Sequence, residues 1–258
     1  MIWRLSLAIA AVAAVLLGVA MADAELVQRG DLRLSFDGRF APQRLPRNRP
    51  APITVSLSGS VVSTSESRPP QLRRISIALN RYGSFFTRGL PTCEAGRLET
   101  TSTQLALSRC GDALIGRGRF DANVDLSTVA FPVEGKVLAF NGRAAGAPVI
   151  LLHVYGTKPV AVTEVLPFRI SHPHSGTYGT VISARIPKIA ADLGYVTHIE
   201  LTLGRRYMYG GRMRSFLSAR CAAPAGFPGA LFPLARGSFT FAGGKLLTTT
   251  LTRGCHVR

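Results

Sequence analysis

Arg74-Ile75-Ser76-Ile77-Ala78-Leu79 decides how the chain is read. Ile75, Ile77 and Leu79 alternate with small or polar residues, so in an extended backbone they fall on one face of a half-buried strand. Runs of the same kind recur on either side: Leu32 to Phe36, Ile53 to Val62, Gly118 to Leu126, Val133 to Phe140 and Val149 to Tyr155. They continue through Val162 to Ile170, Tyr178 to Ile186, Val196 to Leu203, Ser215 to Cys221, Gly237 to Phe241 and Lys245 to Leu251. Gly, Pro and Ser punctuate them. Many short strands at close spacing predict an all-β architecture, sandwich-like, of antiparallel sheets. Ala242-Gly243-Gly244-Lys245 reads as a turn between two strands, and Asn141-Gly142 as a second hairpin signal. Gly116-Arg-Gly-Arg-Phe120 reads as a turn entering a strand.

One segment breaks the pattern. Glu99 to Ile115 predicts a short helix over Gln104 to Arg109, with Thr101, Ser102 or Thr103 as N-cap. Cys110 would then tether that helix to the loop carrying Cys93. Lys188 to Leu193, closed by Gly194, is a second helix candidate. Residues 25–258 are read as one folding unit. The alternative is two similar β-sub-domains, 25–142 and 143–258. It rests on the likeness of Ile75 to Tyr82 and Ile199 to Tyr207, each followed by a cysteine and later by Arg-Gly-x-Phe.

The N-terminus carries Arg4, an apolar run from Leu5 to Ala22, and the small-x-small sequence Ala22-Asp23-Ala24. This is the layout of a secretory signal peptide over residues 1–24, with Ala20-Met21-Ala22 as an earlier processing site. An uncleaved anchor is the competing reading. No later segment is apolar enough to span a bilayer as a helix. Cys93, Cys110, Cys221 and Cys255 all follow the leader, and an even count in an oxidising compartment favours disulfides. Three pairings are open. Cys93–Cys110 with Cys221–Cys255 closes the shorter loops and is preferred.

Lys and Arg total 31 against 14 acids, a net charge of +17, and only Lys136, Lys158, Lys188 and Lys245 are lysines. Such a surface attracts polyanions, and guanidinium pairs bidentately with phosphate or carboxylate. Arg205-Arg206-Tyr207-Met208-Tyr209-Gly210-Gly211-Arg212-Met213-Arg214 looks like a hairpin tip. Its candidate anion-binding residues are Arg205, Arg206, Tyr207, Tyr209, Arg212 and Arg214. The alternative is an ordinary solvated hairpin whose charges protect a sheet edge. Arg44, Arg47 and Arg49 form a smaller basic cluster.

Catalytic signatures are missing from the sequence. It has no Gly-x-Ser-x-Gly, no His-Glu-x-x-His, no P-loop and no Cys-x-x-Cys. His172-Pro-His174 lies in a polar loop and is read as solvated. His153 lies in an apolar run and is read as a core residue. Asp121 and Asp125 share a strand face, more consistent with a wet sheet surface than with a glycosidase pair. No cofactor, metal or catalytic residue is assigned.

The chain resembles a group of exported proteins of high-GC actinobacteria. The likeness is carried by Leu45-Pro-Arg-Asn-Arg-Pro-Ala-Pro52, Pro70-Gln-Leu-Arg-Arg-Ile75, Gly89-Leu-Pro-Thr-Cys93 and Cys110-Gly-Asp-Ala-Leu-Ile-Gly-Arg-Gly-Arg-Phe120. It continues through Leu138-Ala-Phe-Asn141, His153-Val-Tyr-Gly156 and Cys221-Ala-Ala-Pro-Ala-Gly-Phe227. The resemblance implies export and assigns no activity, ligand or site. The expectation is a non-enzymatic secreted or envelope protein that binds anionic polymers or phospholipid headgroups. A secreted hydrolase with a site assembled by the fold is the alternative. Nucleic acid ranks below envelope polyanions because the chain is read as exported. N-terminal sequencing of the exported protein should start at Glu25; retention of Trp3 would show an anchor instead.

Overall fold

The computed structural model describes residues 24–65, 68–126, 129–158 and 161–258, so the expected leader, Ala24 apart, lies outside the described residues. The first half of the chain carries β1 (Glu25–Arg29), β2 (Leu32–Ala41), β3 (Arg44–Leu45), β4 (Ala51–Pro52), β5 (Thr54–Ser63), β6 (Leu72–Asn80), β7 (Gly83–Phe85) and β8 (Cys93–Glu94). Helix α1 (Thr103–Cys110) follows, then β9 (Leu114–Leu126), β10 (Val129–Ala144), β11 (Ala147–Gly156), β12 (Val162–Ser171) and β13 (Tyr178–Arg185). The chain ends with β14 (Gly194–Leu203), β15 (Arg206–Tyr209), β16 (Arg212–Ser215), β17 (Leu217–Ala219), β18 (Gly229–Phe241) and β19 (Leu246–Val257).

Among the described residues, fourteen strands join one curled and mainly antiparallel sheet. Its order is β1-β2-β5-β14-β9-β10-β11-β12-β13-β6-β18-β19-β3, with β8 added to β10. Strands from before and after residue 142 alternate in this ladder: β14 lies between β5 and β9, and β6 between β13 and β18. The architecture is therefore one sheet whose opposite walls face each other.

Alternation puts one side chain in two on the inner wall. Leu34, Phe36 and Phe40 of β2 meet Ile150 and Leu152 of β11, Phe168 of β12, Ile182 of β13 and Phe239 of β18 in one core. Glycines let the sheet coil. A Cβ on Gly118 would stand 1.9 Å from the Glu200 carbonyl oxygen, and one on Gly135 would stand 2.4 Å from the Phe120 ring. Gly118, Gly135 and Gly156 sit on the successive strands β9, β10 and β11, where the missing side chains allow close approach and Phe120 fills the space.

The ends of the curl meet without a backbone ladder. Arg253 of β19 is buried and donates to the Gly38 carbonyl of β2 at 2.7 Å and to Asp37 at 2.6 Å. Lys245 pairs with Asp31 at 3.0 Å, and Arg29 donates to the Leu246 carbonyl at 3.4 Å. Side chains thus make the seam. A small sheet, β4-β17-β7, packs against the inner core through Leu217 and the buried Phe216, whose ring lies 5.1 Å from Phe85.

The expected helix forms where the caps allow. The Ser102 hydroxyl accepts from the Leu105 N–H at 3.2 Å, and Ala106 and Cys110 are buried. A disulfide joins Cys93 to Cys110 and pins α1 over the outer face of β10 and β11, against Leu138, Phe140, Val149 and Leu151. A second disulfide joins Cys221 to Cys255. Two disulfides fit a non-cytoplasmic environment. Among the described residues no helix is long and apolar enough to cross a membrane.

Three local expectations are corrected. Asn141-Gly142 is not a turn: β10 runs on to Ala144, the chain reverses at Ala145-Gly146, and the buried Asn141 amide donates to the Pro91 carbonyl at 2.9 Å. Gly116 to Phe120 lies inside β9 rather than in a turn before it. Lys188 to Leu193 forms only a single 3-10 turn, Ile189–Asp192, because Asp192 takes a positive φ of 76° and ends it. Gly118→Ala should lower stability by about 1–3 kcal/mol, the cost of overpacking. Gly111→Ala, where a Cβ meets nothing within 4 Å, should be near neutral. Urea denaturation of both variants checks this.

Candidate functional site

The basic hairpin forms as its sequence predicts. β15 and β16 pair with Tyr207 opposite Arg214, Met208 opposite Met213 and Tyr209 opposite Arg212. Gly210 and Gly211 make the turn with φ of 58° and 70°, the positive pair that a two-residue hairpin turn requires. Period-two alternation gives the hairpin two faces. One carries Tyr207, Tyr209, Arg212 and Arg214 and packs on the segment after β7. The Tyr207 ring stacks on Phe86 at 6.5 Å, Tyr209 tilts against the same ring at 6.3 Å, and the Arg214 guanidinium lies 5.4 Å from its centre. The Tyr207 hydroxyl donates to the carbonyls of Phe86 and Arg88 at 2.9 and 3.0 Å. Burial pushes this phenol up from its ordinary pKa, and nearby Arg214 pulls it partly back.

The other face points outward and holds Arg206, Met208 and Met213. The two methionines stand side by side, each 60% exposed. The six predicted residues thus divide. Arg205, half-buried, donates to the Leu114 and Gly111 carbonyls at 2.8 and 3.3 Å and fastens the hairpin to the start of β9. Tyr207 and Tyr209 seat it on Phe86. Arg206, Arg212 and Arg214 are exposed, as is Arg88 beside them. The methionine pair was not singled out from the sequence; their identical distance from the Gly-Gly turn was the available signal.

The histidines stand elsewhere. His153 is fully buried on the outer face of β11 beneath the loop before α1. Its Nε2 lies 2.9 Å from the Thr101 carbonyl and 3.0 Å from the Thr101 hydroxyl, which itself donates to the Leu98 carbonyl. A carbonyl only accepts, so Nε2 carries the proton and Nδ1, buried without a partner, does not. Burial pushes the imidazole below its ordinary 6.5, and the Thr101 carbonyl opposes this in part. His198 lies on the outer wall opposite Asp121 of β9, its Nδ1 2.8 Å from the Ser60 hydroxyl. Asp125 pairs with Arg68 at 3.3 Å. Among the described residues, no group of three or more His, Cys, Asp or Glu side chains could hold a metal ion.

Two hollows remain. Inside the curl, Phe36, Ile77, Leu152, Phe168, Ile182 and Phe239 help line an apolar cavity of about 90 Å³. Left empty, a void of that size costs about 2 kcal/mol. On the wall, β12 and β13 pair only over Arg169–Ser171 against Val181–Ser183 and then separate. Pro167 and Pro187, which have no N–H to donate, stand on opposite sides of the gap. The resulting cleft of about 590 Å³ is lined by Arg73, Glu164, Leu166, Arg185 and Lys188 among others. Burial alone pushes the Glu164 carboxyl up; no cation contributes to its shift.

The chain matches no protein-family model, no curated protein and no solved structure.

The buried histidine gives a pH test. Its pKa is lowered in the fold, so as pH falls below about 6.5 the unfolded chain takes up the proton first and stability is lost. His153→Gln keeps a donor toward Thr101 and removes the titration. Melting temperatures measured downward from pH 7 should therefore fall less steeply for this variant than for the parent.

Proposed function

We propose that the protein is an exported, non-enzymatic envelope protein that docks on anionic phospholipid surfaces through the β15–β16 hairpin. The observation that carries this reading is the exposed Met208–Met213 pair on the outward face of a rigidly seated hairpin, with Arg206 beside it on that face, exposed Arg212 and Arg214 on the opposite face, and Arg88 on the segment below. Adjacent exposed side chains of this kind suit an interface where apolar groups reach the acyl boundary and cations stay with the headgroups. Soluble anionic wall polymers would use the arginines alone and gain nothing from the methionines, so the pair favours lipid. Anchoring by Arg205 and Tyr207 supports the reading too, since a preset hairpin loses little freedom on docking. The leader, the two disulfides and the net charge of +17 fit this compartment. The hydrolase alternative has less to rest on: His153 has Thr101 as its polar neighbour, and His198 lies on an open sheet surface.

Co-sedimentation with phosphatidylglycerol–phosphatidylcholine vesicles tests the reading. Each cation near such a surface contributes about 1 kcal/mol. Replacing Arg206, Arg212 and Arg214 with Gln should therefore weaken binding roughly a hundredfold, with less salt dependence left. Replacing exposed Arg39, Arg81 and Arg169 with Gln should cost much less. Met208→Ser with Met213→Ser should also weaken binding at unchanged charge. Equal losses in the two arginine variants would leave a diffuse basic surface and no site. No loss in the methionine variant would favour a polymer over a lipid.

A further inference from the structure

We infer that the cleft between β12 and β13 and the cavity behind it form a binding site for a single-chain anionic amphiphile. The anionic head would sit among Arg73, Arg185 and Lys188, and the end of its aliphatic chain would lie inside the curl. This site is independent of the hairpin, which forms a separate two-stranded sheet.

The argument begins with the ladder. β13 stays with β6 as far as Arg185, and the Ile186 N–H still donates to the Arg73 carbonyl at 2.9 Å. β12 stays with β11 from Val162 opposite Gly156 to Arg169 opposite Val149. The opening therefore lies between two strands that are each held from the other side, and the prolines on its two rims, Pro167 and Pro187, have no N–H to offer a ladder across it. Leu166 lines the cleft and packs on the inner core, and Phe168, two residues on and on the same face of β12, lines the cavity. A chain passing over Leu166 thus arrives at Phe168 and Ile182.

The cavity walls select what can occupy them. Apart from Ser58 and Gly59 every lining side chain is hydrocarbon, so a polar group would lose its hydrogen bonds there. Its volume of about 90 Å³ is below the roughly 150 Å³ of a cavity that holds benzene. That favours the end of one unbranched chain over a ring or two tails. At the mouth the charge is positive. Arg73 and Lys188 share Asp192, the lysine at 2.9 Å. Arg185 is exposed and has no acidic partner among the described residues. Three cations, Arg73, Arg185 and Lys188, stand there against Glu164 and Asp192, which leaves a positive excess. Guanidinium and ammonium groups beside an apolar entrance recognise a carboxylate or phosphate head while the tail goes inward.

Gly59 supplies a test that leaves the fold intact. It lines the cavity, and a Cβ there would meet only the Ser35 carbonyl oxygen, at 3.7 Å. Gly59→Leu should fill the void without clashing, so its melting temperature should equal or exceed the parent's. Calorimetric titration with decanoate and decyl phosphate, each below its micelle concentration, reads the site directly. The parent should bind at least one of them, and the preferred one names the head group. Gly59→Leu should weaken that binding at least tenfold. Arg185→Gln with Lys188→Gln should weaken it about tenfold while leaving the weaker binding of decanol unchanged. Methyl NMR of the parent should show shifts at Ile77, Leu152 and Ile182 and none at exposed Leu231, a readout that stands even where a variant folds poorly. Binding that is absent in the parent, unchanged in Gly59→Leu, or accompanied by no shift of the inner methyls would overturn the inference. Replacing Arg206, Arg212 and Arg214 with Gln should bind the probes as the parent does, so the two sites fail separately.

Discussion

The structure depends on closing a long curled sheet whose ends share no backbone ladder. β1 and β2 come back against β19, but no ladder joins them. Arg253 crosses this seam. A guanidinium offers five donors in a fixed plane, and here they reach the Gly38 carbonyl, the Thr252 carbonyl and Asp37, with Glu25 3.9 Å away. A lysine could not reproduce that set. The seam keeps Phe36 and Leu251 on opposite walls of one core and stops the two edges from offering themselves to another chain.

Other arginines act in the same way, which changes how the net charge is to be understood. Arg47 donates to the carbonyls of Ala223, Pro224 and Phe227, and Arg220 to the Arg47 carbonyl at 3.2 Å. Arg205, Arg109 and Arg143 also donate to backbone carbonyls. Long loops leave many carbonyls without sheet partners, and guanidinium groups satisfy them. An excess of cations over acids is therefore partly structural. The exposed set at the hairpin and the set at the β12–β13 cleft stand out because their head groups are not spent on carbonyls: Arg206 and Arg212 face solvent, and so does Arg185.

Much of the architecture could be read from alternation. Ile75, Ile77 and Leu79 do share the inner face of β6, and the helix with its Ser102 cap lies within a residue of its expected bounds. Two of the three errors came from glycine. Asn141-Gly142 has the local chemistry of a tight turn, yet Asn141 is buried and feeds the Pro91 carbonyl, while Gly142 admits the Cys93 carbonyl. Tertiary contact overrode the local signal. The cleft and cavity were not legible for another reason: their walls come from strands that are distant in sequence, such as β2, β6, β12 and β18, and only the ladder order brings them together. Pro167 and Pro187 have no N–H for a ladder, but nothing local placed them on the two rims of one cleft.

The interleaved strand order has a consequence for how the chain can be made. β14 must slot between β5 and β9, and β18 between β6 and β19, so neither half has a finished sheet of its own. The last rung and the second disulfide wait for Cys255, three residues from the end. Contacts this distant in sequence form slowly. A chain whose later strands are not yet in place has no closed partial sheet, and a truncated one carries open edges beside an unsealed apolar interior. A single late closure is thus written into the connectivity.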